Sequence, residues 1–203
     1  MSESILSPTE PNVNGGIRLA GWAFRQGEIT PTEILVLTAL AAFSDKKGEC
    51  WPKVSTIASM AHLEVRAVQL NLAKLREKKI IEVLKDKHKR GPNFYRILRE
   101  RHAKAKKLKA IKKILLLDAD LKRSDILVLL YFLDLSITIG KNYYPVRQCK
   151  ITSGTWLSCE TVEYSIDRLL SSRLIYIEFE KKGLSYIYVA IGKFKEIVDD
   201  ALS

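Results

Sequence analysis

Residues 50 to 75, CWPKVSTIASMAHLEVRAVQLNLAKL, hold the side chains best suited to reading a polymer of bases. Their apolar positions keep helical spacing, break at Ala61-His62-Leu63, and then resume with Val68, Leu72 and Leu75. On a 3.6-residue period those three share one face, and Arg66, Gln69, Ala73 and Arg76 fall on the other. Arg and Gln carry paired donors and acceptors that match the edges of guanine and adenine in the major groove. Lys53, Glu64 and Lys74 border the same segment and complete this group of candidate DNA contacts.

A second group lies just downstream. The 203-residue chain has a formal net charge of +11. Residues 85–113 contain nine Lys and four Arg against Asp86 and Glu100, so this one stretch carries the entire excess. A concentrated basic block attracts a polyanion, and nucleic acid is the first candidate. An anionic membrane is the second, but the block lacks an apolar stripe with aromatic anchors. Lys85, Lys87, His88, Lys89, Arg90 and Asn93 form one candidate phosphate-holding cluster, and Arg99, Arg101, Lys104, Lys106 and Lys107 form another.

The elements that must position these residues occur twice. TPTEILVLTALAAF (30–43) resembles KRSDILVLLYFLDL (122–135) at an offset of 92, and 57–81 resembles 151–175 at an offset of 94. Each copy has an acid-bearing helix start, at Thr32-Glu33 or Ser124-Asp125, and then an apolar helix. A polar turn with Gly48 or Gly140 leads to an aromatic-proline segment expected to be extended. Helices are predicted over 54–61 and 65–78 in the first copy, and over 147–153 and 159–171 in the second. Each copy closes with a β-rich pair, IIEVL and FYRIL or LIYIEF and SYIYVAI, suited to a hairpin. The order is that of a winged helix-turn-helix. The fold class is therefore α+β, mainly α, with two tandem winged helix-turn-helix domains at 17–98 and 120–203. A flexible N-terminus (1–16) precedes them, and a basic linker (99–119), expected to be a helical, solvent-bridging spacer, joins them.

Residues 22–81, with Gly48-Glu49-Cys50-Trp51-Pro52 as the most specific part, resemble the helix-turn-helix domains that open many phage- and plasmid-encoded bacterial proteins. Residues 120–191 share the pattern loosely. The resemblance implies sequence-specific binding of double-stranded DNA, in replication initiation or transcriptional control of mobile elements. There are departures. Lys53 stands where the family has a capping Ser, His62 where it has a turn Gly, and Glu64-Val65-Arg66-Ala67 where it has Ser-Arg-x-Thr. Arg66 alone carries over as a contact. His tolerates a left-handed backbone better than most residues.

The copies differ in charge. The third helix of the second carries Glu160, Glu163 and Asp167 against Arg168, and acids are repelled by phosphates. This copy is expected to dock weakly on DNA or to serve a homodimer or protein contact through Tyr143, Tyr144, Tyr164, Tyr176, Tyr186 and Tyr188. Should it touch bases, Ser158, Tyr164 and Arg168 are its candidates. The alternative function is a tandem winged-helix interaction module of a chromosome-organising or partition complex.

Other chemistry finds little support. Cys50, Cys149 and Cys159 form no C-x-x-C pair, so no zinc site or disulfide framework is indicated. No phosphate-cradling loop, H-E-x-x-H or G-x-S-x-G occurs. No enzyme activity, cofactor, metal or small-molecule ligand is expected. No basic n-region with an apolar h-region opens the chain, and no apolar run approaches a bilayer span, so the expected location is cytoplasmic and nucleoid-associated.

Overall fold

The computed structural model describes residues 29–45, 47–84, 93–98, 105–117, 120–179 and 186–203. The expected 1–16 segment, the tip of the first β pair (85–92), residues 99–104 and the tip of the second pair (180–185) lie outside them. The architecture is mixed and mainly helical. A first set of elements comprises α1 (Pro31–Phe43), β1 (Glu49–Cys50), α2 (Val54–Met60), α3 (Val65–Glu77), β2 (Ile81–Leu84) and β3 (Phe94–Ile97). Helix α4 (Ala105–Leu115) follows. A second set comprises α5 (Arg123–Ile139), β4 (Tyr143–Val146), α6 (Gln148–Thr155), α7 (Cys159–Ser171), β5 (Ile175–Phe179) and β6 (Tyr186–Ala190), and α8 (Gly192–Leu202) comes last. Each set forms an antiparallel three-stranded sheet, in the order β1-β3-β2 or β4-β6-β5.

The backbone adopts the same unusual geometry at matched positions. Four described residues other than glycine have left-handed φ: His62 (51°), Lys79 (54°), Trp156 (60°) and Arg173 (53°). His62 pairs with Trp156, and Lys79 with Arg173, at the offset of 94. Such backbone is uncommon outside glycine, so its placement is set by the packed elements on either side. His62 and Trp156 each turn the chain between two helices. Lys79 and Arg173 each turn it from the third helix into the sheet.

Both first helices begin on a buried acid. Thr30, rather than Thr32, caps α1: its Oγ1 accepts the Glu33 N–H at 3.4 Å, and the Glu33 carboxylate accepts the Thr30 N–H at 2.6 Å. In α5 the Asp125 carboxylate accepts the Lys122 N–H at 2.9 Å, so the N-cap is Lys122 rather than Ser124. Glu33 and Asp125 are fully buried, and each holds a cation from the third helix of its set, at the C-cap of α3 or within α7. Lys78 reaches Glu33 at 2.8 Å, and Arg168 reaches Asp125 at 2.6 Å. These pairs tie the first helix of each set to the third.

The core of the second set is aromatic. Phe132 stacks on Tyr144 at 4.9 Å and 2°, and Tyr188 lies 5.1 Å from Phe132. Ser136 donates to the Tyr144 hydroxyl at 2.8 Å, so the phenol is buried without losing its partner. Gly154, in α6, owes its identity to this packing. A Cβ there would fall against the Tyr131 ring, so only glycine lets α6 lie this close to α5.

The structure corrects the spacer expected between the sets. Helix α4 buries Ala110, Ile111, Ile114 and Leu115, and it packs against α1, α5 and α8. Lys112 lies 5.4 Å above the Phe43 ring, and Lys113 pairs with Asp200 of α8. Its apolar residues recur at i, i+1, i+4 and i+5, one stripe on a lysine-rich helix, and that stripe is buried rather than solvated. Helix α8 has no counterpart among the predicted elements, and its Phe194, Ile197 and Val198 are buried.

Candidate nucleic-acid interface

The left-handed turn at His62 sets the direction of α3. Leu63, just beyond it, is buried, and Val68, Leu72 and Leu75 continue that buried face. Asn71 is buried beside them. It donates to the Ala67 carbonyl at 2.7 Å and accepts from the Thr32 hydroxyl at 3.2 Å, which pins α3 to α1. With one face fixed, α3 exposes Glu64, Arg66, Gln69, Ala73, Lys74 and Arg76 to solvent. Arg66, Gln69 and Lys74 therefore share the outward surface, as their spacing predicts. Lys53 is exposed at the N-cap of α2 without a side-chain capping bond, and Glu64 holds the same position on α3.

Two further residues belong to this surface: helical spacing sets Leu70 opposite Val68, Leu72 and Leu75, and Val65 is exposed at the start of α3. Leu70 is 58% exposed and Val65 45% exposed. Leu70 follows Arg66 by one turn, so an apolar tip stands beside the guanidinium. Trp51 is also exposed, and its ring lies 5.2 Å from Phe94 of β3. Alternation along extended chain explains Cys50-Trp51: Cys50 points into the core and Trp51 out of it. Burial, with a smaller contribution from Asp45, pushes the Cys50 thiol up to about 12, which makes it a packing residue and not a nucleophile.

Among the expected phosphate contacts, Lys85, Lys87, His88, Lys89 and Arg90 fall outside the described residues, as do Arg99, Arg101 and Lys104. Lys106 and Lys107 lie in the first turn of α4. Asn93 is half-buried, and its amide donates to the Tyr95 hydroxyl at 3.2 Å. Arg96 is held by Glu49 at 2.8 Å and by Glu82 at 3.3 Å, which makes it a cross-strand clamp.

The second set differs. Arg168, a candidate base contact by its sequence, instead binds Asp125 and the hydroxyls of Ser124 and Ser165 through its guanidinium. Burial opposes the Asp125 charge, but Arg168, the Lys122 N–H and Ser165 outweigh it and hold the carboxyl below its ordinary value. Ser158 caps α7 by accepting the Thr161 N–H at 3.2 Å, so its hydroxyl serves the helix. Tyr164 is 57% exposed, beside the exposed Glu160, Glu163 and Asp167. Of the tyrosines expected at a contact surface, Tyr144 and Tyr188 are core residues, whereas Tyr164 and Tyr176 are exposed.

The repeat offset clarifies Lys74. The position matching Arg168 is Lys74, yet the cation that reaches Glu33 is Lys78, four residues later. The structural ion pair has moved one helical turn along the chain, and Lys74 is left exposed.

A family described as a helix-turn-helix domain matches residues 27–81. The match spans α1, β1, α2, the His62 turn and α3, and it ends on the first residue of β2. No curated protein matches the chain. A helix-turn-helix domain at these residues suggests DNA binding. No described helix is long and apolar enough to cross a membrane.

Proposed function

We propose that the protein is a sequence-specific double-stranded DNA-binding protein of a bacterial mobile element, acting as a replication initiator or a transcriptional regulator. Two tandem winged helix-turn-helix domains divide the work. Helix α3 enters the major groove, where Arg66 and Gln69 contact bases. The tip between β2 and β3 and the basic residues leading into α4 hold phosphates. The observation that carries this reading is the outward face of α3: a buried face locked to α1, then Arg66, Gln69, Leu70 and Lys74 in solvent directly after a left-handed turn. The exposed Tyr164 on an acidic α7, with Tyr176 exposed on β5, favours a protein or homodimer contact for the second domain.

Salt tests the reading. Affinity for duplex DNA should fall with a log–log slope of about −0.9 per phosphate neutralised. With about six contacts or more, affinity should drop roughly a thousandfold between about 50 and 200 mM salt. A fluorescence-anisotropy titration across that range measures it, and a flat response would remove the electrostatic part of the proposal.

A further inference from the structure

A further cationic feature lies outside both the α3 face and the 85–113 block. An open groove of about 470 Å³ separates the α2–α3 turn from the start of α5, lined by His62, Leu121, Lys122, Arg123 and Ser124. Helix α4 packs against α5, whose start forms one wall. The His62 Nε2 lies 3.2 Å from the Leu115 carbonyl, which clips the turn to the end of α4, six residues before Leu121. The groove also opens beside the reading helix, because His62 precedes the α3 N-cap, Glu64, by two residues.

The two exposed cations there are not explained by the helix that carries them. Positive charge at a helix N-terminus opposes the helix dipole, so Lys122 and Arg123 work against α5. The matched positions in the first set are Thr30 and Pro31, which suit a helix start. The Asp125 carboxylate uses the Lys122 backbone N–H and the Arg168 side chain, so the described hydrogen bonds do not engage the Lys122 ammonium or the Arg123 guanidinium. Apart from Asp125, the nearest described acid along the chain, Asp120, lines a different cavity together with Arg173 and Lys193.

We propose that this groove binds the duplex backbone, with Lys122 and Arg123 neutralising one or two phosphates that flank the segment read by α3. The inference rests on the DNA-binding reading of α3 and extends it. The second domain then contributes affinity without reading a base. Its acidic α7 stays clear of the duplex, and its α5 start grips the strand leaving the first domain.

The test compares the full-length protein with the Lys122→Gln/Arg123→Gln double variant and the charge-retaining Lys122→Arg/Arg123→Lys variant on one selected duplex. Thermal unfolding checks that all three fold. The glutamine variant should have a log–log salt slope shallower by about 0.9 for each phosphate that is no longer neutralised, so by about 1.8 if both cations neutralise one. Ethylation interference should disappear at the flanking phosphates and persist under α3. The charge-retaining variant should match wild type. A steep wild-type slope that the glutamine variant leaves unchanged would overturn the groove alone. A flat wild-type slope would overturn the DNA reading and the groove with it. If the glutamine variant does not fold, Lys122→Gln and Arg123→Gln are measured singly: at least one must make the slope shallower by about 0.9, and a slope unchanged in both would overturn the groove.

Discussion

Arg66→Ala is expected to weaken binding to the preferred duplex by about 1–3 kcal/mol while leaving binding to unrelated duplexes nearly unchanged. Arg66 stands in the first turn of an exposed helix face, and no described hydrogen bond or ion pair engages its guanidinium. A free fork of donors there can meet guanine O6 and N7 together. Removing it forfeits an interaction that exists only on the right sequence, so the effect falls on specificity. Leu70, one turn further on, offers an exposed apolar tip of the kind that meets a thymine methyl group. Anisotropy measured in parallel on the preferred duplex and on a scrambled one separates the two cases. Equal weakening on both would make Arg66 a phosphate contact.

Arg168→Met is expected to destabilise the fold by about 3 kcal/mol, because it leaves the Asp125 carboxylate buried without its cation. The figure sits at the low end for a broken buried pair, since the Arg168 side chain remains 30% exposed. Lys78→Met should act in the same direction through Glu33. Acid distinguishes this cause from a packing defect. Burial opposes ionisation of both acids, but the hydrogen bonds and cations around them prevail, and both carboxyls ionise below their ordinary values of 3.8 and 4.5. Their folded values lie below their unfolded ones. The stability they confer is therefore complete above the ordinary carboxylate range and is lost as pH falls through the folded values. The deficit of Arg168→Met should be full near neutral pH and shrink in acid, where Asp125 is protonated with or without Arg168. Urea unfolding at neutral and acidic pH measures it, and a deficit independent of pH would point to packing alone.

Most of the local architecture is legible in the sequence because its signals are local. Helical spacing of Val68, Leu72 and Leu75 places the buried face of α3, and the proline after each aromatic segment marks extended chain. The 94-residue offset reappears in the paired left-handed residues His62 and Trp156. What the sequence hides depends on contacts between distant elements. Arg168 has the spacing of a free basic group on an outward face; its partner is 43 residues away, and only folding brings Asp125 beneath it. The apolar stripe of α4 is masked by the lysines around it, and its burial depends on α1, α5 and α8, elements that only folding brings against it. Spacing places Leu70 outward, one turn from Arg66, but an apolar side chain carries no hydrogen-bonding signal that marks a base contact. The packing of α4 also limits how the two sets of elements can be separated. Cutting after residue 113 would remove Ile114 and Leu115 and uncover Ala110 and Ile111, so point substitutions are the cleaner probe.

Selection from a random duplex pool, with the full-length protein at moderate salt, tests sequence-specific reading by α3 most directly. One short motif, about half a helical turn long, should be enriched, and its information content should collapse at one or two adjacent positions in Arg66→Ala. A pool that remains random after several rounds, or a motif identical for wild type and Arg66→Ala, would contradict that reading.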